Sequence, residues 1–137
     1  MKFKKYLFIF LTYFSCIDIS HSIQPEVFVQ STVNRASKVL TENISKAEKI
    51  NELKNIAKET VDIRGIGFYT LGPIRKNLND EQRKNYIEIF EQYFLKSFSS
   101  RLAEYTNPEI DVLGKETLSQ NYTIVNSLLK GTSERPE

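Results

Sequence analysis

At 137 residues, with 19 Lys plus Arg against 17 Asp plus Glu, the chain has room for one small domain and too little excess charge to mark it for nucleic acid. Its one cysteine and one histidine, Cys16 and His21, fall in the first 22 residues, so the remainder has no disulfide framework. Removing residues 1–22 takes away Lys2, Lys4, Lys5 and Asp18 and leaves sixteen charges of each sign, so the basic balance belongs to that segment.

Residues 1–22 read as a secretory signal peptide. Lys2, Lys4 and Lys5 form the charged start, and Tyr6 to Phe14 is apolar except for Thr12. Ser20 and Ser22 supply the small residues of a cleavage site before Ile23. The apolar run is shorter than the ~20 residues of a spanning helix. Lipidation at Cys16 is disfavoured, because Tyr13 and Phe14 fit a lipoprotein cleavage box badly. Residues 23–137 are then a single exported domain without Cys or His, which excludes a thiol nucleophile, a thiolate or histidine metal site and a Ser-His-Asp triad.

The first element after the cleavage site is an amphipathic helix. Pro25 suits its first turn, and Val29, Val33, Ala36, Leu40 and Ile44 recur at helical spacing. Ser45 and Glu48 form a capping box for a second helix with a narrow stripe of Ile50, Leu53 and Ala57, with Ile56 beside it. The mixed charges of its other face, Lys46 to Glu59, read as a solvated surface. Asp62 caps a short helix dense in Ile63, Ile66, Phe68, Tyr69 and Leu71. Gly65 and Gly67 have neither dinucleotide nor P-loop spacing and are read as points of close helix packing. Gly72-Pro73 is a strong stop.

Asn79 and Gln82 form another capping box, with Asp80 and Glu81 in the first turn. The long helix they open runs to Tyr105. Tyr86, Phe90, Tyr93, Ser97 and Arg101 form one line, with Ile89 beside it, and Ile87, Phe94, Phe98 and Leu102 form a neighbouring line. So many aromatic rings on one helix wall either an ordinary core or a cavity, and periodicity does not separate the two. After the turn at Asn107-Pro108 the period changes to two. Glu109 to Gly114 and Tyr122 to Lys130 are predicted strands, joined through Leu118 to Asn121. Neither face of the second strand is cleanly polar, and a lone hairpin is marginal. The sequon at Asn121 overlaps this strand and carries no functional reading.

Two runs in this order resemble the MlaC family, the toluene-tolerance type of periplasmic phospholipid-binding protein. One is an Asp followed by spaced apolar residues and Leu-Gly, here Asp62 to Gly72. The other is a Glu-Gln-Arg run followed by spaced aromatics, here Glu81-Gln82-Arg83 with Tyr86 and Phe90, continued by Phe94, Phe98, Leu102 and Tyr105. The resemblance covers most of residues 23–137. It implies an α+β fold in which N-terminal helices pack on a mixed or antiparallel sheet around an apolar cavity for acyl chains. It further implies phospholipid as ligand, no cofactor, and an inner-membrane ABC-type complex and an outer-membrane lipoprotein as partners. The chain departs from the pattern at Gly65, Gly67 and Pro73 and has no Trp, where the family's later strands carry one. The expectation is therefore a domain truncated after two strands.

Catalysis has little support. Glu88 and Glu91 lie three apart beside a wet face and read as solvated. The leading expectation is a non-enzymatic periplasmic phospholipid carrier, with Ile66, Tyr69, Phe90, Tyr93 and Phe94 against acyl chains and Arg101 near a head group. The alternative is a structural or interaction protein, or a non-functional fragment of such a carrier. Cleavage between Ser22 and Ile23 and delivery to the periplasm are expected. N-terminal sequencing of the exported protein checks this, and a retained Met1 or a lipid-modified Cys16 contradicts it.

Overall fold

The structure, a computed structural model, describes residues 23–106 and 108–130. The signal-peptide reading of 1–22, Asn107 of the turn and the polar stretch 131–137 lie outside the described residues. The described elements are helices α1 (Pro25–Thr41), α2 (Lys46–Thr60), α3 (Ile63–Thr70) and α4 (Asp80–Leu102), a 3₁₀ turn (Gly72–Lys76) between α3 and α4, and strands β1 (Glu109–Ser119) and β2 (Tyr122–Lys130). The fold is α+β, with helices packed together and an antiparallel hairpin laid on them.

The caps read from sequence are in place. Ser45 and Glu48 exchange side-chain and backbone bonds at the start of α2, and Asn79 and Gln82 do so at α4. The Ser45 hydroxyl and then its backbone N–H donate to Glu48 and hold that carboxyl below its ordinary range. Asp62 accepts from the Gly65 N–H at 2.9 Å and caps α3. The end of α1 is satisfied across the gap, where the Lys49 ammonium donates to the Leu40 carbonyl at 2.6 Å. Arg35 of α1 pairs with Glu59 of α2.

The core is built from Leu53, Ile56 and Ala57 of α2, Ile63 of α3, Ile87 and Leu95 of α4, and Leu40 of α1. Ala57, Ile63 and Leu95 form one cluster, with Val61, Phe90 and Phe94 packed against it. Gly67 sits where α3 crosses α4. A Cβ built there meets Ile87 Cδ1 at 2.8 Å and the Phe90 ring at 2.9 Å. The packing role expected of this glycine is thus the one it has. Gly65 lies instead within the turn capped by Asp62.

The long helix faces inward about one residue away from the expected stripe. Ile87, Leu95 and Ser99 are its buried positions, and Leu95 was in neither predicted line. Tyr93 is 68% exposed, Ile89 is 60% exposed, and Arg101 is also outside. The reason is steric. Small residues at the crossings, Gly67 and Ala57, bring the helices close, and aliphatic side chains fill that narrow space. The bulkier rings are displaced to its edge. Ser99 is fully buried, and its hydroxyl has no hydrogen-bond partner among the described residues.

β1 is longer than predicted. It continues past Gly114 to Ser119, and the turn is only Gln120-Asn121. Pairing runs from Glu109–Lys130 to Ser119–Tyr122, with register shifts that leave Leu113 and Leu118 without a partner. Each extra residue flips the faces of the rest of the strand, so the apolar alternation stops where the strand only bulges. Gly114, at φ 156°, directly follows the first bulge.

Gly67→Ala is expected to lower stability by about 1–2 kcal/mol. The overpacking cost of ~1–3 kcal/mol exceeds the ~1 kcal/mol of helix propensity that alanine gains. Urea denaturation measures this, and a stabilised variant would show the α3–α4 crossing to be loose.

Candidate functional site

Along the edge of the α3–α4 interface, Tyr86, Phe90, Phe94 and Phe98 stand four residues apart and form a continuous stack. Successive ring centroids are 6.0, 6.1 and 5.3 Å apart, with interplanar angles of 24°, 26° and 12°. The Tyr86 hydroxyl lies 2.9 Å from Thr70 Oγ1 and anchors the first ring to α3. Tyr86, Phe90 and Phe94 are half-buried, whereas Phe98 is 38% exposed. One further step of four residues reaches Leu102.

Leu102 lines a small apolar pocket of about 110 Å³. Its other walls are Ala36, Ser37 and Leu40 of α1, Tyr105 and Pro108 of the connection, Ile110 of β1 and Leu129 of β2. Ile110 and Leu129 are cross-strand partners, so the hairpin presents them together to α1. An open groove of about 660 Å³ flanks α1 beside Val112, lined by Val27 and by the side chains of Gln30, Asn34, Arg35 and Lys38.

The hairpin meets α1 at both ends of that helix. Ile110 shares the pocket with Leu40 near the helix's end, and Lys115 reaches its start, so β1 runs antiparallel to α1. The Lys115 ammonium donates to Glu26 at 2.9 Å and to Gln24 at 3.1 Å. Glu26 is held below the ordinary carboxylate range, first by a hydrogen bond from its own backbone N–H in the first turn and then by Lys115. On the hairpin's other face Lys130 bridges Glu109 at 2.9 Å and Asp111 at 3.1 Å, and these two carboxylates raise its pKa.

The residues singled out from sequence are dispersed over this surface. Phe90 and Phe94 are neighbours in the stack. Ile66 is 39% exposed on α3, Tyr69 is 82% exposed near the helix's end, and Tyr93 turns away from the stack. Arg101 is exposed and is in no ion pair among the described residues. The pocket residues were legible only as separate stripes. Leu40 belonged to the first helix, Leu102 and Tyr105 to the long helix, and Ile110 and Leu129 to strands. What joins them is contact between the first helix and the last strand, which no local spacing reports.

A family profile described as MlaC protein matches residues 30–137. No curated protein and no solved structure matches the chain. The matched span takes in all four helices except residues 25–29 of α1, together with the aromatic stack, every residue of the apolar pocket and both strands. The chain belongs to the MlaC family, whose members are periplasmic phospholipid-binding carriers and not enzymes.

Proposed function

We propose that this protein is a periplasmic carrier that holds phospholipid by its acyl chains and passes it between membranes. The observation that carries the reading is the apolar line from Tyr86 to Leu102, which ends in the apolar pocket beneath the hairpin. At a rise of ~1.5 Å per residue, that line is about 24 Å long. Half of a ~30 Å hydrocarbon core, the reach of one acyl chain, is about 15 Å, so the line is long enough to take one.

In this reading Phe90, Phe94, Phe98 and Leu102 contact the acyl chain, and each methylene removed from water contributes about 0.8 kcal/mol. Arg101, exposed one residue before Leu102, meets the head group. Ile66, Tyr69 and Tyr93 are not used in acyl contact. At about 110 Å³ the pocket is well below the ~300–1,000 Å³ of ordinary ligand sites, so loading requires the hairpin to lift from α1. Lys115 with Glu26 and Gln24 is the latch that this motion breaks. Delivery to and from an inner-membrane ABC-type complex and an outer-membrane lipoprotein belongs to the same proposal, through family membership alone.

The latch has a defined pH dependence. Glu26 has a folded-state pKa below its ordinary 4.5, so the attraction is present above that value and is lost as pH falls through the folded one. Protection factors of the β1 and β2 amides, corrected for the intrinsic pH dependence of exchange, are expected to fall at acid pH below 4.5 relative to pH 7. Lys115→Ala should raise exchange at neutral pH and flatten the acid response. Unchanged hairpin protection in that variant would remove the latch.

Lipid retention tests the carrier itself. Protein isolated gently from the periplasm is expected to carry phospholipid detectable by native mass spectrometry. Phe98→Asp should abolish most of it, with little loss of stability because Phe98 is partly exposed. Absence of lipid from the unaltered protein, or equal retention by the variant, would count against the acyl line.

A further inference from the structure

The stretch from Ile63 to Asn79 contains Arg64, Arg75 and Lys76 and no acidic residue. It spans α3 and the corner after it. There the backbone reverses at Gly72, with φ 55°, and Pro73 opens the 3₁₀ turn. No atom of the described residues lies within 4 Å of a Cβ built on Gly72, so its conformation and not the available space calls for glycine.

The corner exposes Tyr69 by 82% and Ile74 by 56%. Tyr69, Gly72, Pro73, Arg75 and Lys76 line one open concavity of about 480 Å³. Neither cation is in an ion pair among the described residues. Three other exposed apolar side chains have an acid next to them in sequence or across the hairpin. Ile89 directly follows Glu88, Leu128 is paired across the hairpin with Asp111, and Ile124 with Glu116. The corner is also firmly held. Thr70 Oγ1 contacts the Tyr86 hydroxyl at 2.9 Å, the Asn77 N–H donates to the Ile74 carbonyl at 2.9 Å, and Arg83 donates twice to the Leu78 carbonyl at 2.9 and 2.7 Å. Rigid presentation lowers the ordering cost of binding.

We propose that this corner docks the protein on an anionic lipid-bilayer surface. Tyr69 and Ile74 enter the interfacial layer, and Arg75 and Lys76 meet lipid phosphates. An amphipathic ring beside an aliphatic side chain suits that layer. Each cation near an anionic surface strengthens adsorption by about fivefold. An acidic protein surface would attract the cations but give Ile74 no apolar layer to enter. The docking needs no lipid held inside the protein, so it stands or falls separately from the carrier reading.

The chain has no tryptophan, so Ile74→Trp makes a single reporter at the corner. Asn51→Trp, on the exposed side of α2, is the control. Both side chains replaced are exposed, and circular dichroism confirms the fold of each variant. With phosphatidylglycerol-containing vesicles, the emission at position 74 is expected to shift to shorter wavelength and to be quenched by bromine-labelled acyl chains. Emission at position 51 should not change, and pure phosphatidylcholine vesicles should give a weaker response. Adding Arg75→Gln and Lys76→Gln to the Ile74→Trp protein should lower vesicle partitioning by about tenfold or more. All variants share the same N-terminus, so adsorption through Lys2, Lys4 and Lys5 cancels in the comparison. An unshifted emission at position 74, or unchanged partitioning after loss of the two cations, would overturn the proposal. Binding confined to an acidic protein, with none to vesicles, would do the same.

Discussion

The crossing of α3 over α4 at Gly67 is the contact on which the remaining geometry depends. With no side chain there, Ile87 and the edge of Phe90 come close enough that a single added carbon would collide with both. That closeness selects aliphatic groups for the buried line and leaves the rings no room at the centre. The rings therefore stack along the margin, where each covers the next and one side of the row stays uncovered. A wider crossing would have absorbed the phenylalanines into the core. The same step of packing that makes the core aliphatic thus makes the aromatic edge available to a ligand.

The hairpin is held by much less. Among the described residues two strands give a sheet in which both are edges, and its apolar contact with the helices runs through Ile110, Leu129 and Val112. Its polar tie is Lys115 at the start of α1, an ion pair partly open to solvent and of the weak kind. The helices, by contrast, carry reciprocal caps and a shared core. Local opening is expected to concentrate in the least supported unit, which here is the one that roofs the pocket.

Much of this was legible in the sequence because it is local. The capping pairs Ser45–Glu48 and Asn79–Gln82 and the cap by Asp62 were read from residue type and spacing, and each is present. The α+β order, the family and the packing role of Gly67 were also accessible, since glycine between apolar residues has few structural uses. The inward face of α4 was not, because Tyr93 and Leu95 are both plausible core residues until the partner helices decide. Only the small residues on α2 and α3, seen in place, favour Leu95. The length of β1 was hidden by Leu113 and Leu118, whose bulges break the period by which strands are recognised. The pocket joins residues some ninety positions apart, and no periodic signal spans such a distance.

In the proposed carrier, ligand binding and local stability would be coupled. A protein that binds a ligand only in its ordered form is stabilised as the ligand accumulates. Here the uncovered sides of Phe94 and Phe98 and the loosely held hairpin lie at two ends of one apolar path. An acyl chain laid along that path would shield the rings and give Ile110 and Leu129 more apolar surface to rest on. Each further methylene covered adds to the hold on the hairpin, which in turn removes more of the chain from water. The weakness of the empty hairpin is then useful. In the proposed carrier it would let the pocket open without unfolding the helices, and the ligand would supply the contacts that close it.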